Sequence, residues 1–214
     1  AVVGSDVDAG QTLTYTLMTG GDGAGVFAID SATGVISVVQ EVLDFETKNE
    51  YTVSVTATDD GEGALTGTGL VTIQLEDVNE PPTIDDTARS LDENTAAGYL
   101  IGAPVVGSDV DAGQSLTHTI ESGNGQSFFA IDPATGQLSV GAAAALNYET
   151  AAAHTLTVMA TDNGLGGLTD SATVVVSVND VNEAPAIADA SRTVLENSGA
   201  AATVDGGVVT GTDQ

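Results

Sequence analysis

The chain has 214 residues, room for two domains of ordinary size, and carries 31 acidic against 3 basic residues for a formal charge of −28 at pH 7. That charge repels nucleic acid and anionic membrane surfaces and attracts hard cations that bind oxygen. Cysteine is absent, which excludes a disulfide framework and thiol chemistry.

The chain is not an acidic disordered tail. Hydrophobic residues make up 42% and sit in patterned runs. The longest of those runs is only a few residues, so no membrane insertion is expected in this segment.

In chain order, Leu13, Tyr15 and Leu17 alternate with threonines, the period-two pattern of a half-buried strand. Turn clusters follow at 19–25 (TGGDGAG) and 31–34 (SATG). Tyr51, Val53, Val55 and Ala57 then alternate with Thr52, Ser54, Thr56 and Thr58. Late in the chain, past a turn cluster at 162–167, Val174, Val176 and Val178 repeat the pattern. β-branched residues dominate throughout and favour strands. Ala142–Ala145 is too short for a helix and follows Gly141. About seven strands per unit, separated by turns at this spacing, read as Greek-key β-sandwiches in tandem.

The tandem arrangement comes from an internal repeat. GSDVDAGQ at 4–11 returns at 107–114, ATD at 57–59 returns at 160–162, and DVNE at 77–80 returns at 180–183, each 103 positions on. DEN at 92–94 matches LEN at 195–197 at the same spacing, and VVTGTD at 208–213 opens a further copy. This register divides the chain into a first repeat at 1–82, a complete second repeat at 83–185 and the opening of a third at 186–214. Residues 83–103 have no counterpart in the first repeat, which is expected to lack its opening strand. The equivalent segment at 186–206 is expected to add to the first repeat of another copy, giving head-to-tail oligomers.

The order of motifs resembles the cadherin domain. The residues that carry the likeness are DEN 92–94, DVD 6–8 and 109–111, FAIDSATG 27–34 and FAIDPATG 129–136. LDFE 43–46, ATD 57–59 and 160–162, DVNEPP 77–82 and DVNEAP 180–185 complete the set. The Ala- and Thr-rich, Lys-poor composition is most similar to bacterial-type cadherin repeats of large surface proteins.

The resemblance implies calcium between successive repeats. For the first joint it implies Asp44, Glu46, Asp77, Asn79 and Glu80, joined by Asp109, Asp111 and Asp162 of the second repeat. For the second joint it implies Glu93, Glu149, Asp180, Asn182, Glu183 and Asp213, with Asn147 standing where an Asp is expected. Asp6, Asp8 and Asp59 hold the matching places in the first repeat. Both linkers carry Glu where the family pattern has a second Asp. Dense carboxylates repel one another unless a cation sits among them, and calcium takes six to eight oxygens.

Other chemistry finds little footing. DVDAG is not an EF-hand loop, because its Gly comes one position early and no Glu follows at the required place. His118 falls where Tyr15 sits in the first copy, and His154 where Tyr51 sits, so both are expected to fill structural ring positions. No catalytic constellation recurs, and an enzyme is not expected. The expected function is a calcium-rigidified adhesive or stalk segment of a secreted or cell-surface protein. Its partners would be like repeats, other surface proteins or polysaccharide. The alternative is a carbohydrate-binding module of a larger secreted enzyme or adhesin, which the 4% aromatic content disfavours.

Overall fold

The computed structural model describes residues 1–212 except 125, 143–144, 188, 190–191, 195, 198 and 201–210. Its regular structure is all strand among the described residues, and it divides into two compact units, 1–80 and 81–214.

The first unit contains β1 (Leu13–Leu17), β2 (Phe27–Ile29), β3 (Ile36–Val38), β4 (Glu50–Asp59) and β5 (Thr66–Gln74). β4 is the centre of an antiparallel sheet ordered β1-β4-β5, and β2 pairs with β3. Tyr51, Val53 and Val55 point inward from β4 as their alternation requires, and Tyr51 meets Phe27 edge-on at 5.4 Å. Lys48 lies over the same ring at 4.6 Å and pairs with Asp22 at 3.2 Å. β5 has no second neighbour strand among the described residues, and Leu70 on it is 76% exposed.

The second unit contains β6 (Thr83–Ile84), β7 (Thr87–Asp92), β8 (Gly107–Ser108), β9 (Thr117–Ser122), β10 (Phe129–Ile131), β11 (Leu138–Val140), β12 (Ala153–Thr161) and β13 (Thr169–Asn179). The sheet here has four strands, ordered β7-β13-β12-β9. β7 runs parallel to β13, with Leu91 opposite Val178, and the other pairings are antiparallel. β10 pairs with β11, and β6 with β8. One buried cluster joins Leu156, Val158, Val174 and Val176 of the sheet to Phe129, Leu138 and Val140 of the hairpin. Sheet and hairpin therefore close on a single core, as a sandwich requires. Further along, β14 (Ala186–Ile187) pairs with β15 (Gly211–Thr212). The segment expected to add to another copy, 186–206, lies in large part outside the described residues.

Both histidines take ring places. His118 is 3% exposed, with Nδ1 3.3 Å from the Pro133 carbonyl. His154 packs on Phe128 and Phe129 with centroids at 4.9 and 5.3 Å, and burial pushes its pKa below the usual histidine value.

The FAIDxATG motifs are tight turns built on an aspartate. Asp132 accepts the Thr135 hydroxyl and backbone N–H, both at 2.8 Å, and Asp30 does the same with Thr33. Gly136 closes the turn at φ +69°, where a Cβ would come 2.0 Å from the Val105 carbonyl oxygen. Only glycine fits that close approach.

Candidate metal centres

In the second unit, Leu146 is completely buried, and this anchors the segment that follows it. Asn147 then caps one turn of chain, its Oδ1 accepting the Thr150 N–H at 2.7 Å and its carbonyl the Ala151 N–H at 3.0 Å. Glu149 lies within that turn and is exposed. Glu93 leaves the end of β7, where its N–H bonds the Asn179 carbonyl at 3.1 Å, and Asn94 N–H bonds the Leu146 carbonyl at 3.0 Å. The end of β13 carries the chain on to Asp180 and Glu183.

These elements bring Glu93, Glu149, Asp180 and Glu183 together, each with a carboxylate oxygen within 4.8 Å of the others. Glu93 is 3% exposed and is held by two backbone donors: Val181 N–H to Oε1 at 2.8 Å and Tyr148 N–H to Oε2 at 2.9 Å. Those bonds, Val181's first, keep its carboxyl below the usual glutamate value. Glu183 moves the other way, because burial first, and then the charges of Glu93 and Glu149, push its pKa up. Its Oε1 accepts the Asn94 amide at 2.8 Å, while Oε2 is buried with no hydrogen-bond partner among the described residues. Asn182 is exposed beside this group, and Asp213 lies outside the described residues.

The first unit repeats part of the arrangement. Glu46, Asp77 and Glu80 bring carboxylate oxygens within 4.8 Å of one another. Asp44 instead caps its own turn, accepting the Thr47 N–H and hydroxyl at 2.9 Å each, and these bonds lower its pKa. Asn79 is half-buried nearby in sequence.

The DVD segments form their own small structures. Asp109 Oδ1 accepts the Asp111 N–H at 3.0 Å, and Asp6 Oδ1 accepts the Asp8 N–H at 2.9 Å. Asp111 and Asp162 are each 5% exposed, and Asp109 Oδ2 is buried without a partner among the described residues. Asp162 Oδ1 takes the Gly164 and Leu168 N–H groups at 3.0 Å, as Asp59 Oδ1 takes those of Gly61 and Leu65 at 3.0 and 3.2 Å.

The motifs assign no role to Asp60 and Asn163, which follow ATD in each copy, or to the Asn of DEN 92–94. Asn163 accepts the Ser115 N–H at 2.9 Å and Asp60 the Thr12 N–H at 2.8 Å, fastening the chain just after each DVDAGQ. Asn94, with φ at +56°, is the donor to Glu183. The repeat itself marks them, since Asp60 and Asn163 stand 103 positions apart, as do Asn94 and Asn197, whose φ is +60°.

The donors of the second-unit group are all carboxylate oxygens, and one of them is buried with no hydrogen-bond partner among the described residues. A hard cation suits such a set. Three basic residues cannot neutralise 31 acidic ones.

The chain is similar to known proteins over most of its length. The family model for the Cadherin domain matches residues 1–76 and 87–179. Human Protocadherin Fat 1 is 34% identical over 183 residues, which cover 83% of this chain and 4% of that protein. The human Cadherin EGF LAG seven-pass G-type receptor 2 is 38% identical over 191 residues, covering 85% of this chain and 6% of that protein. The chain thus spans only a small fraction of the length of the curated relatives it matches. Among solved structures, mouse cadherin-23 EC22-24 superposes with a TM-score of 0.72 at 27% identity, covering 97% of this chain and 68% of that one. Extracellular cadherin domains 3-6 of protocadherin gamma B2 give 0.58 at 25% identity, covering 82% and 43%. With the family model matching both units, and with sheet order and acidic motifs recurring between them, the chain belongs to the cadherin-domain family.

Proposed function

We propose that this chain is a calcium-stiffened segment of an extracellular array of cadherin repeats, serving adhesion or acting as a stalk. The observation that carries the reading is the group Glu93, Glu149, Asp180 and Glu183, whose oxygens converge while Glu183 Oε2 stays buried without a partner among the described residues. Bound calcium would supply positive charge that offsets the repulsion among these carboxylates. Glu93, fixed by two backbone N–H groups, keeps its charge and its direction; Glu149 and Asp180 add exposed oxygens from separate segments.

In this reading the repeats are 1–82, 83–185 and 186–214. One ligand set is drawn from Glu46, Asp77, Asn79 and Glu80 with Asp109, Asp111 and Asp162; Asp44 belongs to it as well as to its cap. The other is drawn from Glu93, Glu149, Asp180, Asn182, Glu183 and Asp213. Like repeats or other surface proteins are the partners. Calcium titration followed by calorimetry, with small-angle scattering in calcium and in chelator, tests the proposal. Saturable binding and a longer, stiffer particle in calcium are expected; identical scattering profiles would overturn the stiffening.

A second reading, recognition of a saccharide, has one observation in its favour. A pocket of about 480 Å³ in the second unit is lined by Phe128, His154, Asn147, Thr150 and Gln126. Rings and amides of this kind stack on and hydrogen-bond sugars. A glycan array probed with and without calcium separates the two readings.

A further inference from the structure

The geometry points to Asn94 as the positioning residue that aims Glu183 at the cation, an inference that rests on the calcium reading above. Asn94 is pinned on both sides, by Glu93 N–H to the Asn179 carbonyl at 3.1 Å and by its own N–H to the Leu146 carbonyl at 3.0 Å. Its backbone is left-handed, at φ +56°, a conformation asparagine tolerates better than most residues. From that fixed base its amide Nδ2 donates to Glu183 Oε1 at 2.8 Å. One carboxylate oxygen is thereby committed, and the other, Oε2, is left buried and free of any partner among the described residues.

The effect on Glu183 is specific. A glutamate here has one more rotatable bond than the aspartate of the family pattern, and a loose carboxylate at its end would swing out of the group. With Oε1 tied to Asn94, the chain end keeps a single direction, and the residue offers the cation one oxygen rather than two. Asn94 offers no anionic ligand of its own. Outer partners of this kind commonly change metal affinity by about ten- to a hundredfold when removed.

The test is Asn94→Gly in the full chain. Glycine keeps the left-handed backbone and removes only the amide. Calcium is titrated while the Val181 and Tyr148 amide signals are followed by NMR, since both N–H groups bond Glu93 within the group. Urea unfolding in chelator is measured alongside. The expected result is roughly tenfold weaker calcium binding at these signals, with the chelator midpoint of the second unit unchanged. Equal affinity of variant and parent would overturn the role of Asn94 and leave the calcium reading standing. Weaker binding with an equally lowered chelator midpoint would make Asn94 a residue of the fold and also overturn it. A parent chain whose signals do not respond to calcium would sink the site itself.

Discussion

Asp44 and Asn147 occupy one place in two copies of the same turn: each accepts the N–H of the threonine three residues on, at 2.9 Å from Thr47 and 2.7 Å from Thr150. Asp44 also takes the Thr47 hydroxyl, so both of its oxygens serve the turn. Asparagine and aspartate cap equally well. Asn147→Asp should therefore leave the urea midpoint of the second unit within about 0.5 kcal/mol of the parent, whereas Asn147→Ala should cost about 1 kcal/mol. A large loss with aspartate would show that the turn does not treat the two alike.

Glu149 and Glu121 are both exposed glutamates of the second unit, but only Glu149 lies in the converging group. Replacing either by alanine removes one negative charge, so long-range attraction for calcium falls alike. Glu149→Ala should weaken calcium binding by about tenfold, or ~1.4 kcal/mol, and Glu121→Ala should scarcely change it. Calorimetric titration of both variants decides the matter; equal affinities would make Glu149 plain surface charge.

Asp132 ties its turn through the Thr135 hydroxyl first, then the Thr135 and Ala134 N–H groups, and these hold its carboxyl below the ordinary aspartate value. A depressed folded-state pKa adds stability that is fully present above the unfolded value of about 3.9 and is lost as pH falls through the lower folded value. Asp132→Asn should thus be less stable than the parent at neutral pH, and the difference should vanish well below pH ~3.9. Amide exchange of β12 and β13 across that range checks the sign. A gap that widens on acidification would reverse it.

The two units should differ in stability. The second closes one cluster of fully buried Leu156, Val158, Val174 and Val176 under a four-stranded sheet, while the first has β5 open at one edge with Leu65 and Leu70 exposed. Open edges and thin cores exchange faster and pair with other strands. In hydrogen exchange, β5 amides should label well before those of β13, and the sedimentation coefficient should rise with concentration. Uniform protection across both units, with a strictly monomeric species, would refute this.

Much of this was legible without coordinates. Period-two alternation placed Tyr51, Val53 and Val55 on one face and Val174, Val176 and Val178 on another, because side chains of a strand alternate whatever the sheet around it. The repeat assigned His118 and His154 to ring positions, and the cadherin resemblance implied Glu93, Glu149, Asp180 and Glu183 as one group although they lie far apart in the chain. Motif spacing says which residue types recur; it does not say which atoms meet. Tertiary structure alone decided that Asp44 spends both oxygens on Thr47, that Glu93 is held in its charged form by two backbone donors, and that Asn94 ties one oxygen of Glu183 while the other stays buried. The last two outcomes depend on side-chain directions set in the second unit by the burial of Leu146 and the pairing of β7 with β13. A hydrogen bond is decided within a few tenths of an ångström, a precision that a linear order of residues does not contain.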